Sequence, residues 1–420
     1  MIIGVVADDV TGANDIGIMF AKWGYLTHVY AYDHFEASYR PEAEVCIIDT
    51  NSRLDAPQVA YDKVFAATKA LQRLGCKQFH NKTCSVFRGN IGAEFDAMLD
   101  APGHEFAVVI LGFPKNGRTT INSVHYVRSI KLEDSEFRRD PVHPMTRSNL
   151  VDILQTQTKR RVGAIQHDVI EQGQLSEPLE QMRRDYQYVI LDVTDQQMLK
   201  TIASVVHDYP VLCGSSAIAE ELPAYWSTPP QPYTVSLPEQ KGLGVLCAAG
   251  SLMPQTAAQI EHLRQRGIPV FELDPIQLFI DREHAISQIA VEIIAQLQAG
   301  TDVVFHTANR ADIVDKMRIE GTSRGLSLSE VSRIVSAAIA DVVALCVERC
   351  GLNRLLIAGG ETAAAVCERL GIYGMSIWKE IQPGLPLCLS LTEPPMLLVL
   401  KSGSFGSSDF FEHAIAQLKL

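Results

Sequence analysis

Two carboxylates stand side by side where an apolar run ends. In GVVADDVTGANDIG, residues 4–17, Asp8 and Asp9 close the strand-like IIGVVA (2–7) and precede a Thr-Gly-Ala turn. Successive side chains on a strand point to opposite faces, so only one of the two acids is expected to face a site in front of the strand end. Asp9 has two readings. As an N-cap, a role Thr11 could also take, it accepts a hydrogen bond from the first turn of the following helix. As a catalytic and substrate-binding residue it accepts hydrogen bonds from substrate hydroxyls, or takes a proton from one. Gly12 and Ala13 keep the turn tight enough for close approach, and small residues serve helix packing equally well.

Other polar groups follow other apolar runs. After EVCIID (44–49) come Thr50, Asn51 and Ser52 and then Arg53, whose guanidinium suits a bidentate pair with a substrate carboxylate or a surface pair with a neighbouring acid. After KQFHNK (77–82), the stretch HNKTCSVFRGNIG (80–92) offers the charge of Lys82, the hydroxyls of Thr83 and Ser85, and close backbone approach at Gly89 and Gly92. Each is compatible with ordinary loop chemistry; three polar strand ends in one half of the chain point together to a site. In LGFPKNGRTT (111–120), Asn116-Gly117 is a turn signal ahead of Arg118. DPVHPMTRSNL (140–150) reads as an ordered loop leading into a helix started by Thr146, with His143 structural because no partner spacing supports a metal.

The second half holds three small-residue turns. LLIAGGETAAAVCERLG (355–371) runs from an apolar strand through two glycines into a helix opening on Glu361 and Thr362, an arrangement that brings backbone N–H groups and a helix dipole to a phosphate. A tight strand-to-helix turn has the same pattern, and neither G-x-G-x-x-G nor G-x-x-x-x-G-K-[ST] is present. AAGSLMPQTAAQIEHLRQRG (248–267) repeats the design, with Ser251 after a strand and Pro254 at a helix start. LKSGSFGSSDFF (400–411) sets Gly403 and Gly406 among four serines, a loop that wraps phosphates or lies free on the surface.

These residues need strands that end together. The chain alternates short β-branched runs with amphipathic stretches such as 57–75, the pattern of parallel sheets covered by helices. The strand candidates are 2–7, 26–31, 44–49, 77–82, 106–111, 188–193 and 210–214, then 244–251, 269–273, 302–307, 354–360 and 396–403. Between the two sets, WSTPPQPYTVSLPEQKG (226–242) carries Pro229, Pro230, Pro232 and Pro238, which deny donors to any regular element. The expectation is an α/β protein of two lobes, each a mostly parallel sheet flanked by helices: residues 1–226, a proline-rich linker 227–242, and residues 243–420, with the active site in the interlobe cleft. Ligands in such folds bind beyond the carboxyl ends of the strands.

Composition narrows the class. The 420 residues are 47% hydrophobic and 20% charged, with no apolar run near the ~20 residues of a membrane span. The opening MIIGVVADD lacks a basic segment followed by a small-residue cleavage site, which predicts a cytoplasmic location. A net charge of −12 opposes a nucleic-acid surface. Nine cysteines without C-x-x-C pairing read as buried small hydrophobes, so no metal site is expected. By physics alone this is a two-lobed enzyme of small polar metabolites. A nucleotide-linked oxidoreductase is disfavoured by the missing dinucleotide fingerprint.

GVVADDVTGANDIG, NSR, KTCSVFRGNIG, NGRT, HPMT, AAGS, AGGET and KSGSFG, in that order, resemble the four-carbon acid sugar kinases over nearly the whole chain. The resemblance implies an N-terminal sugar-acid domain and a C-terminal nucleotide domain that together use ATP to phosphorylate the terminal hydroxyl of threonate, erythronate or 3-oxo-tetronate. It implies acceptor contacts at Asp9, Arg53, Asn81, Lys82, Thr83 and Cys84, and ATP contacts at Ser251, Ile357, Ala358, Gly359, Gly360 and Gly403. Mg²⁺ would accompany ATP, and a homodimer is compatible with the family. The chain departs from many relatives at Thr83-Cys84-Ser85-Val86, where they carry an acid followed by Ser and Thr. NSR with FRGNIG is more similar to the threonate and erythronate kinases than to the oxo-tetronate branch, which implies D-threonate as substrate.

Overall fold

The apolar run that ends at the two acids forms β1 (Ile3–Ala7), buried along its whole length, and it passes directly into α1 (Val10–Ala21), whose twelve residues are all buried. This computed structural model describes residues 2–36, 41–140, 142–239, 242–308 and 310–420. Pro141 of the 140–150 loop, and Gln240 and Lys241 of the proline-rich stretch, lie outside them. The chain divides into two units, residues 1–233 and 234–420, and residues 227–239 form neither helix nor strand.

The first unit continues through β2 (Thr27–Ala31), β3 (Val45–Asp49), α2 (Pro57–Arg73), β4 (Gln78–Lys82), α3 (Ile91–Asp100), β5 (Ala107–Ile110), β6 (Arg118–Ile121), β7 (Val124–Val127), β8 (Ile130–Lys131), α4 (Leu150–Gln155), β9 (Val162–Ile165), α5 (His167–Glu171), α6 (Ser176–Met182), β10 (Tyr188–Leu191), α7 (Gln196–Val206) and β11 (Val211–Gly214). Its main strands lie in the order β2-β3-β1-β4-β11-β5-β10-β9, every neighbouring pair parallel. Register sets the site. Ala7 stands between Asp49 of β3 and Lys82 of β4, and Gly214 of β11 stands beside Lys82, so four strands end at one level.

The second unit runs through β12 (Leu246–Ala249), α8 (Pro254–Gln265), β13 (Val270–Leu273), α9 (Arg282–Gln298), β14 (Val303–Thr307), α10 (Ala311–Ser323), α11 (Leu328–Cys350), β15 (Arg354–Ala358), α12 (Gly360–Arg369), β16 (Gly374–Gln382), β17 (Leu385–Ser390), β18 (Leu397–Lys401) and α13 (Phe410–Leu418). The order is β13-β14-β12-β15-β18-β17-β16, parallel as far as β18 and antiparallel from there to β16. Again three ends coincide: Ala358 lies beside Ala249 on one side and Lys401 on the other.

Each sequence-derived strand is present, within a few residues at its ends, and three groups of strands had no counterpart in the sequence reading. β9 is four residues long, too short for its pattern to stand out. β16 and β17 form an antiparallel hairpin, outside the strand-and-helix alternation. The antiparallel sheet β6-β7-β8 turns at Asn122-Ser123 and Arg128-Ser129, all four at positive φ (48–65°), without the Asn-Gly signal of a tight hairpin. The helix expected to start at Thr146 begins at Leu150 instead. Asn149 is its cap, with Oδ1 accepting from the Asp152 N–H at 3.1 Å, because an Asx side chain competes well for the first free amides.

Candidate functional site

In the first unit the coinciding strand ends gather ionisable groups under almost complete burial. Asp9 is extended (φ −153°, ψ 155°) and caps α1: Oδ1 accepts from the Gly12 N–H at 2.7 Å. Its Oδ2 accepts from the Thr11 hydroxyl at 3.1 Å and from Arg53 Nη1 at 2.5 Å, so capping and charge pairing occupy one carboxylate. Asp8 does not turn to the opposite face, as strand alternation predicts. Both acids lie past the last residue of β1, where the pleat no longer dictates direction, and Arg53 holds Asp8 through Nε to Oδ2 and Nη2 to Oδ1, each at 2.7 Å.

Arg53 is therefore paired with acids of its own chain, in the interior rather than at the surface. Three of the five N–H groups of a guanidinium are engaged by Asp8 and Asp9. Burial pushes the Asp9 carboxyl up, but Arg53, Lys82 and the Gly12 amide outweigh it and hold Asp9 below the usual carboxylate range. Asp9 is thus ionised at neutral pH.

Lys82, 3% exposed, places Nζ 3.5 Å from Asp15 Oδ2 and donates to the Thr83 carbonyl at 3.1 Å. Burial raises Asp15 to about 6 despite that lysine. Gly12 is required by contact: a Cβ there would lie 2.6 Å from Asp9 Oδ1 and 3.0 Å from Lys82 Nζ. Asn81 Oδ1 and Thr83 Oγ1 are buried acceptors with no hydrogen-bond partner, and a polyhydroxylated ligand would satisfy both. Cys84 Sγ accepts from Arg88 Nε at 3.3 Å. Burial alone would raise this thiol, but Arg88 and Arg53 bring it below its ordinary value. Arg88 in turn pairs with Asp140 at 2.6 Å.

Sequence reasoning gave Asp8 no role beside Asp9 and passed over Asp15, Arg88 and the buried Glu94, which accepts from the Ser52 hydroxyl at 2.8 Å. The FRGNIG stretch contained a signal for Arg88. His143 is structural, its ring bonded to the Arg53 carbonyl at 3.0 Å. Gly92 serves packing, since a Cβ would fall 2.3 Å from the Gln157 carbonyl, and Gly89 (φ +107°) backs the Arg53 side chain. Gly117 is the left-handed turn residue that its Asn-Gly pair predicts, at φ +66°.

In the second unit the three small-residue turns meet. A Cβ on Gly403 would lie 2.0 Å from Ser251 Oγ, and one on Gly359 (φ +118°) would lie 3.3 Å from the Ser251 nitrogen. The Gly250 N–H donates to the Ala358 carbonyl at 3.1 Å, the Gly359 N–H to the Lys401 carbonyl at 2.8 Å, and the Thr256 hydroxyl to the Gly403 carbonyl at 2.8 Å. Ile357 and Ala358 are fully buried residues at the end of β15, so of that stretch only Gly359 and Gly360 leave the sheet. Gly359 caps the ten-residue α12 with no side-chain bond to its first amides. That leaves the first amides of α12 and its helix dipole beside the Ser251 and Thr362 side chains, a cradle that fits polyphosphate. Glu361 accepts from Ser332 on α11. Thr256 and Lys401 were missed in the sequence; a lysine closing a strand ahead of Ser-Gly was the available signal.

Among the described residues, no group of three or more His, Cys, Asp or Glu could hold a metal ion, and no helix is long and apolar enough to cross a membrane. Eight of the nine cysteines are buried, and all are free thiols.

Residues 3–222 match the family of sugar-binding N-terminal domains, and residues 246–411 that of nucleotide-binding C-terminal domains. The chain is 31% identical, over 99% of its length and 97% of the relative's, to a Cupriavidus necator protein named 3-oxo-tetronate kinase. Two crystal structures are similar. One is of a Salmonella typhimurium LT2 protein given the provisional name of a tRNA synthase (29% identity, TM-score 0.79, 98% of each chain covered). The other is of a Haemophilus influenzae protein (28% identity, TM-score 0.70, 99% of this chain and 100% of the other).

Proposed function

Because the chain belongs to the four-carbon acid sugar kinase family, with a sugar-binding and a nucleotide-binding domain, we propose that this kinase transfers the γ-phosphoryl group of ATP to the 4-hydroxyl of D-threonate. One observation carries the acceptor half of the reading: an ionised, buried Asp9 at the level where β1, β3 and β4 end, with Arg53 and Lys82 beside it.

Phosphoryl transfer through a loose transition state depends on position and charge more than on a strong base. Asp9, held below the usual carboxylate range, is a weak base, so its role is to accept the hydrogen bond of the attacked hydroxyl and fix its direction. The two guanidinium N–H groups of Arg53 not spent on Asp8 and Asp9, together with Lys82, would hold the acceptor's carboxylate, while Asn81 and Thr83 receive its hydroxyls. In the second unit Ser251, Gly360 and Gly403 would hold the nucleotide's phosphates through backbone donors, with Gly359, whose own N–H is bonded to the Lys401 carbonyl, shaping the turn. Mg²⁺, when bound, neutralises charge on those phosphates, with the phosphate oxygens themselves as its principal ligands.

A second acceptor, 3-oxo-tetronate, is favoured by the name of the Cupriavidus relative. An RNA substrate, which the name of the Salmonella protein would suggest, fits poorly with a net charge of −12. The deciding experiment is ADP release with ATP and Mg²⁺ against D- and L-threonate, D- and L-erythronate and their 3-oxo analogues, repeated with Asp9→Ala. Strong turnover with D-threonate, lost in the variant, supports the proposal. Turnover with a 3-oxo acid alone replaces the substrate, and no acid-dependent ADP release rejects the reaction.

A further inference from the structure

We propose that Lys401 is a positioning residue of the nucleotide site: a buried ammonium that ties the three small-residue turns together and places positive charge behind the phosphates they hold. The inference rests on the nucleotide reading of the second unit.

Lys401 is the last residue of β18 and is fully buried. Its Nζ donates to Thr256 Oγ1 at 3.0 Å, to the Ser402 carbonyl at 2.8 Å and to the Gly403 carbonyl at 3.0 Å. In the charged form its three N–H groups meet three acceptors, none of them charged. Its own carbonyl accepts from the Gly359 N–H at 2.8 Å. One residue thus connects the first turn of α8, the β15–α12 turn and the loop that presses Gly403 against Ser251.

Among the described residues, no acid pairs with this ammonium. The charged groups on the elements packed around it are engaged elsewhere or face outward. On α8, His262 pairs with Glu412 of α13, and Glu261 pairs with Arg264. On α12, Glu361 bonds Ser332, Arg369 bonds Asp341 and Glu368 is exposed. On α13, His413 pairs with Asp409. Arg354 at the opposite end of β15 donates to the Leu418 and Pro238 carbonyls. The nearby thiols are Cys367 of α12 and Cys388 of β17, the latter pushed up by burial. An uncompensated buried charge is costly, and a site for an anion offsets that cost when the anion binds.

Burial alone brings Lys401 down to about 7. A polyphosphate against Ser251, Gly359 and Gly403 favours the charged form, so binding raises the affinity of Lys401 for its proton. Above neutral pH the free protein holds Lys401 largely neutral, and nucleotide binding takes up a proton. At pH 6 the lysine is already charged, and little is taken up. A lysine that only braces the loop would have the same proton affinity with and without nucleotide.

The test is calorimetric titration of the holding unit's ligand, the Mg²⁺ complex of a non-hydrolysable ATP analogue, into the full chain in buffers of different ionisation heat. About one proton should be taken up per site at pH 8, and about a tenth of one at pH 6. Lys401→Met should abolish the uptake at pH 8 and bind about tenfold more weakly at pH 6. Binding without uptake at pH 8, or uptake that survives in Lys401→Met, overturns the inference; acid-dependent ADP release persisting in that case leaves the kinase reading standing. Absence of nucleotide binding together with absence of acid-dependent ADP release removes both. If Lys401→Met does not fold, the wild-type proton counts at the two pH values decide.

Discussion

Arg53 grips Asp8 through two parallel hydrogen bonds, Nε to Oδ2 and Nη2 to Oδ1, each 2.7 Å long, across 45 residues of sequence. Asp8 is 1% exposed, so its removal leaves a buried guanidinium short of charge. Asp8→Ala should lower the free energy of unfolding by about 3 kcal/mol in urea titrations. A loss below about 1 kcal/mol would place the pair among those that contribute little.

Asp9 should respond differently. Asn caps helices as well as Asp does, so Asp9→Asn keeps an acceptor for the Gly12 amide while removing the charge. Acid-dependent ADP release should fall about a hundredfold or more. Affinity for the nucleotide, measured without acceptor, should stay at the wild-type value. Equal losses in both measurements would contradict an acceptor role.

Gly403 is packed from the side-chain direction. With a Cβ 2.0 Å from Ser251 Oγ, Gly403→Ala must displace the serine or the loop, costing about 1–3 kcal/mol of stability. The KM for ATP should rise about tenfold. Gly173→Ala is the control: that glycine, unlike Gly403, has a left-handed backbone, at φ +69°, but nothing lies within 4 Å of its missing Cβ. Its KM for ATP should not move.

Asp49 supplies a pH test. Burial raises this carboxyl to about 8, with the charges of Asp9 and Asp8 adding to it and the Asn51 amide opposing. The folded chain therefore holds a proton that the unfolded chain has lost above about pH 4, so this residue's contribution falls as pH rises from about 4 to about 8. Asp49→Asn cannot titrate there. It should gain on the wild type between pH 5 and pH 8, at up to about 1.4 kcal/mol per pH unit, read from urea midpoints. A constant difference between the two proteins would show that Asp49 is ionised throughout.

Much of this protein is written locally. A β-branched run followed by a small or acidic residue and an amphipathic stretch specifies strand, turn and helix from neighbouring residues alone, which is why Asp9, Arg53, Lys82, Ser251, Gly359 and Gly403 can be found at strand ends without a structure. Even the capping role of Asp9 is local, because the Gly12 amide it binds is three residues away. The short β9, the β16–β17 hairpin and the turns at Asn122-Ser123 and Arg128-Ser129 were not legible, since each depends on pairing with strands whose identity no local pattern reveals.

The partners of the charged groups were decided only in three dimensions. Arg53 carries the same sequence signature whether it meets a substrate carboxylate or Asp8, and register alone, Ala7 level with Asp49 and with Lys82, brings the acids within its reach. Lys401 reads in the sequence as one more polar residue ahead of a serine-rich loop. Its separation from the acids among the described residues follows from the strands and helices that close over it, and from that burial comes the proton affinity that makes it sensitive near neutral pH.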